Sequence, residues 1–116
     1  MKAFEKVVDT PIPGRTRKPR NSGLTMVIDK GLGIREVQDL VEVAGEYIDI
    51  VKLGFGTSRL CPQGIVRKKV EAYTTNDIYV MPGGTLLEVA VLQDVLDQCL
   101  REAKELGFNA IEVSDG

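Results

Sequence analysis

Histidine and tryptophan are absent from the 116 residues, cysteine occurs twice, and aromatic residues make up 5%. The missing histidine excludes Ser-His and Cys-His catalysis within this chain, and histidine-based zinc sites with it. Acid–base work therefore falls to Asp, Glu, Lys, Tyr or Cys. Cys61 and Cys99 form no CxxC pair and read as two reduced thiols, one near a loop and one in a helix. No apolar run approaches the roughly 20 residues that span a bilayer. The N-terminal MKAFEKVVDT carries acids and lacks an apolar core, so it does not read as a signal peptide. A cytoplasmic location is expected. With 15 basic and 17 acidic residues the net charge is -2, which favours neither nucleic acid nor an anionic membrane.

What is present is the ordinary composition of a globular domain, 43% hydrophobic and 28% charged. Residues 1–22 read as an irregular arm, broken by Pro11, Pro13, Gly14 and Pro19, with a basic cluster at Arg15, Arg17, Lys18 and Arg20. The cluster is either a solvated arm over the domain or a lid that attracts an anionic substrate. From Gly23 onward, residues 23–116 read as one unit. Leu24 to Ile28 is a buried parallel strand. Ile34, Val37, Leu40, Val41 and Ala44 then recur at helical spacing. A second strand covers Ile48 to Gly54, and Pro62 opens a second helix carrying Ile65, Val66, Val70 and Tyr73. Asn76 reads as its left-handed stop. The third strand is Ile78 to Met81. Thr85 and Glu88 then form a capping box at the head of a long helix running from Leu86 to Leu106, which Gly107 ends. The fourth strand is Ala110 to Val113. The order β-α-β-α-β-α-β, with short connections, points to a parallel α/β sheet with right-handed crossovers.

Alternation along the strands sorts their side chains into a helix-facing and an axial set. Val51 and Leu53 are assigned to the helix layer, which puts Ile50, Lys52 and Gly54 on the axis. Ile111 and Val113 are likewise assigned outward, with Glu112 and Ser114 inward. Met26 and Ile28 are placed under helices and Thr25, Val27 and Asp29 on the axis. Tyr79 and Met81 are placed outward, Ile78 and Val80 inward. Thr25, Asp29, Lys52, Glu112 and Ser114 are thereby expected to converge. All but Thr25 lie toward the C-terminal strand ends, where parallel barrels build active sites. A Lys and a Glu in mid-strand are costly to bury unless paired or liganded. Two readings stay open: a structural Lys52–Glu112 ion pair, or a polar site for an anionic substrate and a divalent cation. Polar, glycine-bearing turns follow each strand: Asp29-Lys30-Gly31, Gly54-Phe55-Gly56-Thr57, Pro82-Gly83-Gly84-Thr85 and Ser114-Asp115-Gly116. Thr85 would also open a helix whose N-terminus favours an anion. Hard oxygen donors without histidine suit Mg²⁺, with Asp29, Glu112 and Asp115 as candidate ligands and Glu88 and Asp49 as weaker ones. No Walker A or dinucleotide fingerprint occurs, so a nucleotide-binding domain ranks lowest.

Four segments together resemble the phosphosulfolactate synthase family: residues 23–31, residues 47–58, residues 82–88 and residues 106–116. The arm before Gly23 is similar to that of bacterial members. The resemblance implies the first half of a (β/α)8 TIM barrel, the complete form of which needs about 250 residues. It also implies Mg²⁺-dependent addition of sulfite to phosphoenolpyruvate, giving (2R)-phosphosulfolactate, a step that opens a route to coenzyme M in archaea. Lys52 and Lys30 would then be catalytic. Asp29, Gly83, Gly84, Thr85 and Ser114 would bind substrate, and Glu112 and Asp115 would hold the metal. The family's proton-donating lysine would lie beyond strand four. The alternative is a non-catalytic half-barrel whose open sheet edges and apolar face drive self-association into a homo-oligomer.

Overall fold

A computed structural model describes residues 1–10 and 14–114, the side chain of Phe55 aside. Three parallel strands lie in chain order: β1 Met26–Asp29, β2 Ile50–Leu53 and β3 Tyr79–Met81. The helices between and after them are α1 Ile34–Ala44, the single turn α2 Thr57–Leu60, α3 Gln63–Thr74, α4 Gly84–Leu92 and α5 Leu96–Glu105. The result is an α/β half-barrel, with the helices packed on one face of the sheet. Its core joins Val51, Val80 and Ile78 of the sheet side to Val37 of α1, Val66, Val70 and Tyr73 of α3, and Ala103 and Phe108 around the end of α5. The α3 stripe Val66, Val70, Tyr73 follows helical spacing, so one face of that helix is buried along its length.

The register corrects two of the strand assignments. Met26 pairs with Ile50 and Ile50 with Tyr79, while Ile28 pairs with Lys52 and Lys52 with Met81. Paired residues of neighbouring parallel strands share a face, so Met26, Ile28, Tyr79 and Met81 are on the inner face beside Lys52. Val27, Ile78, Val80 and Asp29 are turned into the helix layer instead. Met26, Ile28 and Tyr79 are 45%, 42% and 59% exposed, whereas Ile78 and Val80 are buried. Thr25 precedes β1 at the N-terminal strand ends, where its carbonyl accepts the amides of Asp49 and Ile50. The β2 assignment stands as expected.

Three helix ends share one device. At Asp77, Asp94 and Gly107 the backbone turns left-handed, with φ of 59°, 58° and 98°. At each, the next amide reaches back five residues and the turning amide reaches back three: Ile78 to Tyr73 and Asp77 to Thr74, Val95 to Ala90 and Asp94 to Val91, Phe108 to Ala103 and Gly107 to Lys104. This is the Schellman closure, which satisfies carbonyls left open at a helix end. The left-handed residue after α3 is thus Asp77, not Asn76, whose side-chain Nδ2 instead donates to the Ala72 carbonyl at 2.7 Å. The expected single helix from Leu86 to Leu106 is two helices, because Asp94 closes α4. The helix preceding it also starts at Gly84, with Gly83 at the N-cap and no side-chain cap, so Thr85 does not cap it.

No fourth strand forms among the described residues. Residues 109–114 run beside β3 with one backbone bond, from the Ala110 amide to the Val80 carbonyl at 3.2 Å. The Asn109 side chain occupies the neighbouring ladder position, accepting the Val80 amide at 2.7 Å through Oδ1. One ladder position beside β3 is thus filled by a side chain and the next by a single backbone bond.

Candidate active site

Lys52 leaves the middle of β2 on the inner face, and its Nζ lies 3.2 and 3.1 Å from the two oxygens of Glu112. The Gly84 amide, at the head of α4, donates to Glu112 Oε1 at 2.7 Å. The anion at that helix N-terminus is therefore the protein's own carboxylate. The Gly84 amide and then the Lys52 ammonium hold the Glu112 carboxyl below the usual carboxylate range, against the smaller opposing effect of burial. The pair is partly open, with side chains 21% and 26% exposed. It can therefore meet a ligand.

Two adjacent glycines make that closeness possible. A Cβ on Gly84 would lie 2.2 Å from Ser114 Oγ and 2.9 Å from Glu112 Oε1. Gly83 has φ of 91°, and a Cβ there would lie 2.9 Å from the Leu53 carbonyl oxygen. The structure thus brings together Lys52, Gly83, Gly84, Glu112 and Ser114 at the C-terminal end of the sheet.

Other expected site residues lie elsewhere. Asp29 is turned away from the axis and is 1% exposed. Its Oδ1 accepts the amides of Gly31 and Leu32 at 2.9 and 2.8 Å, and its Oδ2 accepts the Tyr73 hydroxyl at 2.9 Å and faces Lys69 Nζ at 3.1 Å. Burial alone would raise this carboxyl, but the four donors outweigh it and hold it below the usual range. Burial, and then the Asp29 charge and hydrogen bond, push the Tyr73 phenol up, so it stays a donor. Asp29 ties the turn after β1 to α3. Lys30 stands exposed on that turn, and Thr85 is exposed on α4. Asp115 lies outside the described residues, as do Gly116, Pro11 and Pro13.

The basic arm is not a lid over this site. Arg20 donates through Nη1 to Asp49 Oδ1 at 2.8 Å and through Nη2 to the Glu46 carbonyl at 2.9 Å, at the opposite, N-terminal ends of the strands. Lys18 Nζ donates to the carbonyls of Asn76 and Asp77 at 3.2 and 3.0 Å. Sequence reasoning missed Lys69, and it named Arg20 only as part of the basic cluster, without its pairing with Asp49. Lys69 had a visible signal, since it falls on the apolar stripe of α3 between Val66 and Val70. Arg20 had none beyond its charge.

Parallel strands under one helix layer, with a lysine–carboxylate pair seated where their C-terminal ends meet a helix N-terminus, make an α/β half-barrel consistent with part of a TIM-barrel-type fold. The sequence model of (2R)-phospho-3-sulfolactate synthase, ComA, matches residues 13–116. The phosphosulfolactate synthase of Methanothermobacter thermautotrophicus is 43% identical over 104 residues, covering 90% of this chain and 40% of that protein. The Methanocaldococcus jannaschii enzyme of the same name is 47% identical over 94 residues, covering 81% and 38%. That of Bacillus subtilis is 36% identical over 105 residues, covering 90% and 41%. The chain belongs to the phosphosulfolactate synthase family and spans about 40% of the length of these curated relatives. Identity to the Methanothermobacter and Methanocaldococcus proteins is higher than to the Bacillus one.

Proposed function

We propose that this chain supplies the Lys52–Glu112 side of a phosphosulfolactate synthase active site, in which sulfite adds to phosphoenolpyruvate. The supporting observation is the partly open Lys52–Glu112 pair braced by the Gly84 amide. In the reaction a carbon–sulfur bond forms between sulfite and the methylene carbon. The double-bond electrons pass to the carbon bearing phosphate and carboxylate, which then takes a proton, and no group leaves. Lys52 offers a fixed positive charge to the substrate's anionic oxygens, and Glu112 keeps that ammonium in place. Ser114 and the Gly83–Gly84 turn shape the wall beside them. The proton donor belongs to the part of the family's barrel that this chain does not span.

The donor chemistry fits Mg²⁺, which is commonly bound through one or two carboxylates together with substrate oxygens. No group of three or more potential ligands occurs among the described residues. Glu112 would hold the ion with the substrate's own oxygens, and Asp115 is the second candidate. When bound, Mg²⁺ would offset the negative charge growing on the substrate carboxylate.

The test is phosphorus NMR of the chain with phosphoenolpyruvate, sulfite and Mg²⁺, alone and mixed with the remaining C-terminal segment of the Methanothermobacter relative. A phosphosulfolactate resonance in the mixture that Lys52→Met abolishes is the expected result. Product at the same rate from Lys52→Met would sink the assignment.

The inner sheet face supports a second proposal, a homo-oligomer in which two copies cover each other's exposed Met26, Ile28 and Tyr79. No helix among the described residues is long and apolar enough to cross a membrane. Sedimentation at micromolar concentration should show a dimer or larger, and a clean monomer would refute it.

A further inference from the structure

Both cysteines line one cavity. It measures about 340 Å³ and lies between the joint of α2 and α3, which carries Cys61, and α5, which carries Cys99. Both thiols are free and partly exposed, so a small reagent can reach them. Two contacts fix how the walls line up. Gln63 Nε2 donates to Glu102 Oε1 at 3.5 Å and, one turn further on, Arg67 Nη1 donates to the Glu105 carbonyl at 2.8 Å. The α3 and α5 helices therefore run parallel. Cys61 lies just before Gln63, and Cys99 lies one turn before Glu102 on the same face of α5. Stepping back from the Gln63–Glu102 contact thus reaches both thiols at one level of the fold, although the sequence keeps them far apart.

Two thiols facing one space suit either a soft metal ion or a redox bond. No group of three or more His, Cys, Asp or Glu able to hold a metal occurs among the described residues, which favours the redox bond. A disulfide asks for Cα atoms about 4.4–6.8 Å apart, closer than the roughly 8–10 Å between packed helix axes. The cavity leaves room for that approach, and the joint is built to make it. Cys61 is extended, with φ of -95° and ψ of 141°, and it follows a single-turn helix whose Leu60 is 84% exposed. We infer that Cys61 and Cys99 are a redox-sensitive pair that closes to a disulfide across this cavity on meeting a low-molecular-weight disulfide, clamping α3 to α5. One cysteine thiolate attacks the small disulfide, forming a mixed disulfide and releasing one small thiol. The second cysteine loses its proton to solvent, attacks the sulfur of the first and releases the second small thiol. The two cysteines give up two electrons, and the small disulfide takes them. Pro82 and Leu86, which flank the Gly83–Gly84 turn, line the same cavity, so the clamp lies beside the turn that seats Glu112. The inference rests on the two thiols and stands whether or not the proposed reaction is correct.

The test is a titration of the reduced chain with mixtures of oxidised and reduced glutathione, in native buffer and in denaturing urea. Intact mass and non-reducing peptide mapping read the products. In buffer a single species is expected, lighter by two hydrogens, carrying no glutathione and bridged between Cys61 and Cys99, which reductant returns to the starting chain. The ratio of oxidised to reduced glutathione that half-closes the pair should be at least tenfold lower in buffer than in urea, because the fold holds the thiols together. The bridged chain should unfold at a higher urea concentration than the reduced one, since the link restricts the unfolded state. Cys61→Ser and Cys99→Ser should each carry a mixed disulfide at most and gain no stability from the oxidant. Two persisting mixed disulfides on the wild-type chain, a bridge between chains, no reaction, or equal ratios in buffer and urea would overturn the inference. So would a bridged chain no more stable than the reduced one.

Discussion

Replacing Lys69 by Met should destabilise the chain, and by an amount that depends on pH. The substitution keeps the apolar stem in the α3 stripe and deletes only the ammonium that faces Asp29. Both side chains are almost wholly buried, at 5% and 0% exposure, so solvent cannot screen the loss. Removing one partner of a buried pair costs about 3–5 kcal/mol. Three donors to Asp29 remain, from Gly31, Leu32 and Tyr73, which places the cost near the lower end, about 3 kcal/mol. At a urea slope of about 1.5 kcal/mol/M the midpoint should fall by roughly 2 M. The folded-state Asp29 carboxyl is depressed, so its contribution is full above the ordinary carboxylate range and fades as pH falls through the lowered value. With Lys69 gone that carboxyl rises, so wild type and variant should differ most near neutrality and converge on acidification. Urea unfolding followed by circular dichroism between pH 7 and the acid limit measures both. A midpoint shift below about 0.5 M, or a gap that does not narrow in acid, would refute the account.

Two further outcomes follow from the backbone. Gly84→Ala should force Glu112 and Ser114 aside, since the added Cβ has no room; the ¹⁵N shift of the Lys52 ammonium should then lose its dependence on Glu112 ionisation, and an unchanged titration would count against the geometry. Asp94→Gly should raise stability by about 0.5 kcal/mol and Asp94→Ala lower it by about 1 kcal/mol, because a side chain at φ of 58° is strained and glycine is not. Equal midpoints for the two would show that α4 does not end in this turn in solution.

Lys52 was legible because it interrupts an apolar strand between Val51 and Leu53, both buried under the helices; Glu112 was placed beside it by the same alternation, although residues 110–113 form no strand and Ile111 and Val113 are exposed rather than packed under helices. Asp29 was misread by the same logic. Its polarity suggested the axis, yet its charge is satisfied from the helix layer by Lys69 and Tyr73, residues 40 or more positions away. The faces of β1 and β3 were not readable, because a strand in a parallel sheet is apolar on both sides and carries no alternation. The break between α4 and α5 was hidden because Asp94, and not a glycine or proline, makes the turn. The Gly83–Gly84 contacts depend on where Ser114 and Glu112 return, which no local pattern reveals.

The attachment of the arm has a consequence for synthesis. Arg20 must wait for Asp49, 29 residues later, and Lys18 for Asp77, 59 residues later. At about 5–20 residues per second the ribosome needs roughly 3–12 s to deliver the later partner. Through that interval β1 emerges with its Asp49 brace unmade, and Asp29 lacks both Lys69 and Tyr73. The first strand of the sheet is therefore among the last to be secured, and a nascent chain stalled before α3 would present it unanchored to the chaperones around it.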